Sequence, residues 1–435
     1  MFRRVRVRPL TFEEVQERCL RDVQLTLEID EKLGISDSCI ARPSFSHTMP
    51  NDAIYAGSCV DGRQLRAARD LGYVLETKPK HVKEHSGALV LQHPKPFILY
   101  KDIAVFDFSS LYPSIIISKR ISPDKNRILF PMILSSLKTL RLEWKAKAQA
   151  IKAKENYEKT MQEAYKVVLN ATYGYLSKRV YRYNLGEEVA TTGRQILTHI
   201  MNTIMKSYDL KTVYGDTDSL FIEFPSFTEE KALDIEEAIS GEVKDHFSID
   251  VDSECDKLFS KLYFPKIAAG ERSAKKKYAG KVSWRRGTGL VNPPELEIVG
   301  LEAIRSGTPE VFRGLQRSTN TLLGLMFNET SVETVTSIVV LFKKALFSGD
   351  IHPLDLTISR TIAQKSYNVK PFHIQAAEKY PNYRYKDKVI YLHTTKHSVI
   401  SVINDTKYLS NRLHALEENR LTHNRKDYRH LTYSC

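Results

Sequence analysis

The sequence predicts an α+β fold, an antiparallel sheet combined with long helices. Three observations carry that expectation. Tyr214-Gly215-Asp216-Thr217-Asp218-Ser219 follows the apolar run Met205 to Val213 and is closed by Leu220-Phe221-Ile222. This pattern reads as a β-hairpin with two carboxylates at its tip. At a distance of 109 residues (216 minus 107), the run Ile98 to Phe106 ends in Asp107-Phe108-Ser109-Ser110-Leu111-Tyr112-Pro113-Ser114, a further strand ending in a third acid. Between them Pro131 opens a long helix, roughly Met132 to Lys154, and Asn156 opens a second that runs to about Leu176. Two such helices joined by a short polar link make an antiparallel helical hairpin.

The remaining elements follow in chain order. Leu10, Phe12, Val15, Cys19, Leu20, Val23, Leu27 and Leu33 keep near-helical spacing, so residues 10–35 read as a helix. From Tyr181 a helix over about Glu187 to Ser207 leads into the acidic hairpin. The tail ends in Arg425-Lys426-Asp427-Tyr428-Arg429-His430, a frayed basic arm. No internal repeat or low-complexity tract interrupts this order.

A chain of 435 residues exceeds one compact core and implies roughly two to four subdomains. No apolar run approaches the roughly 20 residues of a membrane span. The N-terminus, Met1-Phe2-Arg3-Arg4-Val5-Arg6-Val7-Arg8, is basic but lacks the apolar core of a signal peptide. Cys19, Cys39, Cys59, Cys255 and Cys435 lie far apart and form no Cys-x-x-Cys pair. A disulfide framework or zinc site of cysteines is therefore not expected, and the expected location is intracellular and reducing, in a cytoplasm or nucleus. The net charge of +13 points to a polyanionic partner. Between Lys138 and Arg182 eleven Lys/Arg stand against four Asp/Glu, so this segment carries over half of the whole surplus. That concentration favours a phosphate-facing surface over a solvated helical face of mixed sign.

Carboxylates crowded at buried strand ends repel one another and are costly to desolvate unless a cation sits between them. The expected cation is Mg²⁺, which takes oxygen ligands and shares them with substrate phosphates. Two such ions can clamp the attacking and leaving oxygens of a phosphoryl transfer. Taken alone, a solvated acidic turn remains the alternative. On the second hairpin helix, Lys166, Asn170 and Tyr173 share one face. Arg141 and Lys145, four apart, share a face of the opposing helix. If the two faces converge they form a cationic pocket for a triphosphate, with Arg able to grip it in a bidentate way. An exposed pair on a lysine-rich helix is the plainer reading of Arg141 and Lys145.

Read in order, these segments resemble the template-dependent DNA polymerases of family B. Asp107 to Ser114 matches the first palm motif of that family. Lys166-Val167-Val168-Leu169-Asn170-Ala171-Thr172-Tyr173-Gly174 matches its finger-helix motif, with Ala171 where Ser is usual. Tyr214 to Ser219 matches its second palm motif without departure. The resemblance runs from about Ala53 to about Leu392. It implies a right-hand fold with an antiparallel-sheet palm, helical-hairpin fingers and a mostly helical thumb. The expected divisions are palm over 41–130, fingers over 131–180, palm again over 181–305, thumb over 306–400 and a basic tail over 401–435. Residues 1–40 would be a remnant of the last exonuclease-domain helix. Cys19 to Leu27 resembles that helix, where Asp22 would be a metal ligand, but Arg18 replaces the usual Tyr. Asp22 therefore reads as a solvated helix residue, and the chain as a core without 3′–5′ exonuclease function.

Further segments are similar to family elements. Gly87-Ala88-Leu89-Val90 and Pro94 resemble the strand and turn before the first acid. Ala274-Lys275-Lys276-Lys277-Tyr278-Ala279-Gly280 resembles a Lys-Lys-Arg-Tyr segment, with Lys277 in place of Arg. Gly300-Leu301-Glu302-Ala303-Ile304-Arg305 resembles the Gly-x-Glu-x-x-Arg element at the palm–thumb border. Gly307 stands where an Asp is common. Leu356 to Arg360, Tyr367 and His373 to Ala376 are similar to the thumb's usual course.

The resemblance implies site residues as well. Asp107 and Asp218 would hold both Mg²⁺ ions, the Phe108 carbonyl would be an extra ligand, and Asp216 would be a weaker catalytic partner. Arg141, Lys145, Lys166 and Asn170 would bind the nucleotide with Ser110, Leu111, Tyr112 and Tyr173. The Tyr112 ring would leave no space for a 2′-hydroxyl, and Tyr173 would shape the nascent base pair. Lys275, Lys276, Lys277, Tyr278, Arg305 and Arg360 would contact the duplex through sequence-blind phosphate and shape contacts. The expected partners are primer-template DNA and deoxynucleoside triphosphates, with a separate exonuclease subunit or processivity factor as a further candidate. The alternatives are the polymerase half of a split enzyme, a protein-primed polymerase and an inactive DNA-binding scaffold. A viral or mobile-element origin fits the compact core and divergent tail.

Overall fold

In the computed structural model, residues 11–75, 90–91, 98–124, 126–150, 157–178, 183–266, 274, 276–317, 322–351, 353–364, 366–367, 370–378, 384–392 and 400–401 are described. Gly87 to Leu89, Pro94, Lys275 and the basic tail after Ser401 lie outside them. Helices α1 (Phe12–Leu33), α2 (Ile35–Ser46), α3 (Pro50–Ala53) and α4 (Ala56–Asp70) come first, followed by strands β1 (Val90–Leu91) and β2 (Leu99–Phe108). Next come α5 (Leu111–Ser118), α6 (Leu129–Ala150), α7 (Tyr157–Lys178), α8 (Tyr183–Asn202) and the single turn α9 (Ile204–Ser207). Strands β3 (Lys211–Asp216) and β4 (Ser219–Glu223), helix α10 (Glu229–Phe247), and strands β5 (Ser253–Tyr263), β6 (Tyr278–Arg285) and β7 (Gly289–Val299) follow. The C-terminal part holds α11 (Glu310–Arg317), α12 (Leu322–Phe327), α13 (Val332–Ser348), β8 (Ile358–Thr361), α14 (Phe372–Glu378), β9 (Lys388–Leu392) and β10 (Ile400–Ser401).

Among the described residues seven strands form one antiparallel sheet in the order β1-β3-β4-β2-β5-β6-β7. The expected hairpin is β3–β4, and β2 lies beside it as the sequence predicts. Its first strand starts at Lys211 rather than Met205, because Met205 is buried in the helical turn α9. Alternation along β2 separates the two faces. Ala104, Phe106 and Phe108 join Leu220, Ile222 and Cys255 against buried residues of α8 and α10, including Ile196, Ile200, Ile239 and Val243. Ile103 and Val105 join Val213, Tyr214, Phe221, Phe259, Phe264 and Val282 on the other face. Each large apolar side chain so buried contributes about 1.5–3 kcal/mol. The sheet is therefore covered on both faces, and its accessible chemistry lies at the strand ends.

The predicted helical hairpin is α6 and α7. Met161, Ala164, Tyr165, Val168, Leu169, Tyr175 and Leu176 make a helical stripe on α7 that meets Leu129, Phe130, Ile133, Leu134 and Leu137 of α6. Helix α6 begins two residues earlier than Pro131 indicates. The Asp124 carboxylate accepts from the Ile128 and Leu129 amides at 3.0 and 3.1 Å, and Ser122 Oγ accepts from the Phe130 amide at 3.0 Å. These bonds satisfy the first-turn donors, so Pro131 sits inside the first turn, where its missing N–H costs nothing.

Helices α2 and α4, at and after the expected start of the palm at residue 41, pack on α7, and α4 also packs on α6. Phe45 stacks on Tyr165 with ring centroids 4.1 Å apart, and the Arg63 guanidinium donates to the Phe45 carbonyl at 2.7 Å. Helix α1 forms as predicted, with a capping box between Thr11 and Glu14. Its apolar stripe is not a core face, since Phe12, Leu20, Val23, Leu27 and Leu33 are all exposed. Asp22 and Arg18 are exposed on it as well. The C-terminal part is not purely helical. Strands β8, β9 and β10 form a small antiparallel sheet over Ile374, Ala376 and Ala377, which the sequence pattern did not signal. No helix among the described residues is long and apolar enough to cross a membrane. The described cysteines Cys19, Cys39, Cys59 and Cys255 are free thiols.

Candidate active site

The acids come together through backbone bonds at the end of the sheet. Asp216 pairs with Ser219, so Thr217-Asp218 is a two-residue turn, and Thr217 takes a left-handed conformation at φ 59°. A β-branched residue with positive φ is strained, and such strain persists where the surroundings over-determine it. Here the Asp218 amide donates back to the Asp216 carbonyl at 2.6 Å, and the Phe108 amide donates to the Asp218 carbonyl at 2.9 Å. The second bond ties the hairpin tip to the end of β2. Asp107 is opposite Ser219 on one side and Glu254 of β5 on the other. Ser110, also left-handed at φ 61°, then turns the chain into α5 and presents Leu111 and Tyr112.

Asp107, Phe108, Ser110, Leu111, Tyr112, Arg141, Lys145, Lys166, Asn170, Tyr173 and Asp218 all line one cleft of about 410 Å³. Eleven residues chosen from four separate segments thus share a single cavity. The carboxylates form one wall and α6 and α7 the other. Arg141 donates through Nη1 to Ser110 Oγ at 2.9 Å, while its Nε is buried without a partner. Lys145 reaches Glu254 Oε1 at 3.8 Å. Lys166 is half-exposed and holds only a loose 3.8 Å pair with Glu163, one turn away. The Tyr112 and Tyr173 rings meet at 4.6 Å, tilted by 53°.

Electrostatics at the acidic wall is that of crowded like charges. Burial, and then Asp218, Asp256 and Glu254, push the Asp107 carboxyl up to about 7, even though the cleft leaves it open to water on one side. Burial and Asp216 raise Asp218 in the same direction. Hard carboxylate oxygens that resist ionising together suit a divalent cation, which relieves their repulsion. Asp107, Asp218 and the Phe108 carbonyl fit such an ion by donor chemistry.

An unfolded Asp titrates near about 3.9. Between there and pH 7 the folded metal-free protein holds a proton that the unfolded chain has released, so stability from Asp107 falls as pH rises through that window. Asp107→Asn removes the penalty. In EDTA its melting temperature should exceed wild type at pH 8, with a smaller difference at pH 5. A wild type that melts higher at pH 8 would contradict this electrostatic account.

Asp216 does not line the cleft. Its Oδ1 pairs with Lys276 Nζ at 2.9 Å and accepts from Thr217 Oγ1 at 3.0 Å. The Lys276 amide also donates to the Tyr214 hydroxyl at 3.0 Å. The Lys277 ammonium is 2.7 Å from Glu302. The Tyr278 ring packs against Phe221, Phe259 and Phe264, and burial raises its hydroxyl. Of the residues expected at the duplex, Arg305, Arg360 and Lys276 are exposed, with Arg305 3.6 Å from Glu302 and Lys276 on Asp216, whereas Lys277 and Tyr278 are partly buried among protein groups. At Gly307 an added Cβ would lie 3.0 Å from the Ser359 carbonyl and 3.5 Å from the Arg360 guanidinium carbon, so the missing Asp side chain is replaced by close backbone approach.

Other cleft residues escaped the sequence reading. Ser109 and Pro113 line it, and so do Glu254 and Asp256 of β5. The register slips between Phe106–Cys255 and Val105–Lys257, leaving Asp256 as the extra residue of a β-bulge. Asp250, Asp252, Glu254 and Asp256 alternate, and that period-2 acidic pattern was the available signal. Gly193 of α8 lies behind Tyr112, where an added Cβ would be 3.0 Å from the ring.

The model of "DNA polymerase family B" matches residues 56–126 and 118–428, which extends past Leu392, where the motif resemblance ends. The DNA polymerase of Archaeoglobus fulgidus is 27% identical over 354 residues, covering 74% of this chain and 41% of that protein. The DNA polymerase zeta catalytic subunit of Schizosaccharomyces pombe is 26% identical over 368 residues, covering 71% of this chain and 24% of that one. The chain thus spans less than half the length of these relatives. The family B DNA polymerase structure from Pyrobaculum calidifontis superposes with a TM-score of 0.61 at 24% identity, covering 93% of this chain and 55% of that one. With a family match over most of its length and the motif residues gathered in one cleft, the chain belongs to DNA polymerase family B.

Proposed function

We propose that this chain is a polymerase core that extends a DNA primer on a DNA template. The observation that carries the reading is a single cleft with Asp107 and Asp218 on one wall and Arg141, Lys145 and Lys166 on the other. A deoxynucleoside triphosphate needs both walls, one where its α-phosphorus reacts and one where its charge is held. The sheet is then the palm, α6 and α7 the fingers and the helices after Glu310 the thumb. Two Mg²⁺ ions on Asp107, Asp218 and the Phe108 carbonyl would activate the primer 3′-hydroxyl and neutralise the leaving pyrophosphate. Arg141 and Lys166 orient the triphosphate, and Asn170 and Tyr173 border the new base pair. Asp216, paired with Lys276, supports the turn from outside the cleft. Exposed Arg305 and Arg360 offer sequence-blind phosphate contacts. Purified protein with primer-template, Mg²⁺ and all four deoxynucleotides should extend the primer. No extension at any Mg²⁺ concentration would sink the proposal.

Sugar selection rests on Tyr112. Its ring is fixed between Tyr173 in front and Gly193 behind. Tyr112→Ala should open space for a 2′-hydroxyl and lower the preference for deoxy- over ribonucleotides in single-turnover incorporation. Equal discrimination by both proteins would remove Tyr112 from this role.

A further inference from the structure

His199, Glu242 and His246 lie away from the cleft, where α8 crosses α10. Glu242 and His246 are four apart on α10 and share one face. His199 belongs to α8 and points at that face. His199 Nε2 and Glu242 Oε1 are 2.5 Å apart. The two imidazoles are stacked, with centroids 3.9 Å apart and planes 18° from parallel. Phe247 meets both rings edge-on, at 5.4 and 4.8 Å. One ligand atom from each of the three side chains lies within 4.8 Å of the others, and this is the grouping of three His, Cys, Asp or Glu that so converges among the described residues.

We propose that His199, Glu242 and His246 form a binding site for a divalent transition ion, best matched by Zn²⁺, that pins α8 to α10. Two imidazoles and a carboxylate are a donor set that Zn²⁺ takes readily, with water in the fourth position. Imidazole favours such ions over Mg²⁺, so this site and the carboxylate cleft select different metals. Bonds of about 2.0–2.2 Å place tetrahedral ligand atoms roughly 3.3–3.6 Å apart. The His199–Glu242 pair at 2.5 Å must open by on the order of 1 Å and separations near the 4.8 Å limit must close by as much, within reach of side-chain rotations of Glu242 and of exposed His246 that unstack the rings. Glu242 is less than half exposed and His199 less than a quarter, so the ion would bind in a notch open to solvent on the His246 side. The plainer reading is a hydrogen-bonded, stacked pair that only packs the helices.

The test is zinc binding by untagged, chelator-treated protein, read by competition with a chromophoric chelator in excess Mg²⁺. Wild type should bind Zn²⁺ at micromolar concentration or below, and its melting temperature should rise with the metal. His246→Ala alters an exposed side chain and should fold normally. It and His199→Ala should each weaken binding at least tenfold and abolish the thermal shift. Glu242→Gln keeps a hydrogen-bonding partner for His199 but loses the ligand charge, and should weaken binding as well. Asp218→Asn, which alters the other metal site, should retain the zinc affinity. Unchanged affinity in His246→Ala and Glu242→Gln, or no binding by wild type at micromolar zinc, would overturn the assignment.

Discussion

Asp218→Asn should cut nucleotide incorporation by orders of magnitude and leave primer-template affinity nearly unchanged. The substitution keeps the shape of the turn, because the bonds that hold position 218 are made by its backbone amide and carbonyl, to Asp216 and Phe108. What it removes is one carboxylate charge from a wall that already crowds Asp107 and Glu254. Without that charge a divalent ion loses a ligand and its electrostatic hold, and a thousandfold loss corresponds to about 4 kcal/mol of transition-state stabilisation. DNA affinity should change little, since sequence-blind phosphate contacts are shared among many basic residues outside this wall. Primer extension, filter binding and melting temperature, measured on one preparation, separate the three quantities. Near-wild-type extension by this variant would defeat the assignment of Asp218.

Lys166→Ala should lower nucleotide use by about ten- to hundredfold. A charge-assisted hydrogen bond to a phosphate oxygen is worth roughly 1.5–3 kcal/mol, which is that range in rate or affinity. The side chain is free to make the bond, because its pair with Glu163 is loose and half-exposed, and such pairs contribute little. For the same reason the substitution should barely alter stability. Lys147 of α6 is the control. Its ammonium lies 4.5 Å from the Trp144 ring centroid, outside the cleft lining. Lys147→Ala should leave nucleotide kinetics alone, and neither change should greatly alter DNA affinity. Equal effects from both would mean that the segment acts only as a general basic surface.

The cleft was legible because its residues lie where local pattern and chemistry coincide. Asp107 and Asp218 end apolar runs, and Lys166, Asn170 and Tyr173 recur at helical spacing, so short windows of sequence reveal both walls. Glu254 and Asp256 depend on the pairing of β5 with β2 and on a bulge that no local window contains. Lys276 looked like a phosphate contact because a lysine run carries no record of which carboxylate it will meet. The fold brings Asp216 to it through a strand 60 residues away (276 minus 216). Helical spacing in α1 predicted the helix but not the exposure of its apolar stripe, since periodicity marks a face without saying what covers it. Helix α6 began early because side chains upstream of Pro131 cap it, a contact set by the turn at Ser122 to Asp124.

The central strand also imposes a schedule on synthesis. Asp107 pairs with Ser219, 112 positions later (219 minus 107), and with Glu254 later still. Strand β2 therefore leaves the ribosome long before either neighbour exists. At about 5–20 residues per second the wait for β4 alone is roughly 6–22 s. Throughout it Ile103, Ala104, Val105 and Phe106 stand as an unpaired apolar edge, the kind of segment that invites association with other chains. The helices α5 to α8, made in the interval, are local structures that form in microseconds. They can fold beside β2 and shield one of its faces while its partners are still being translated.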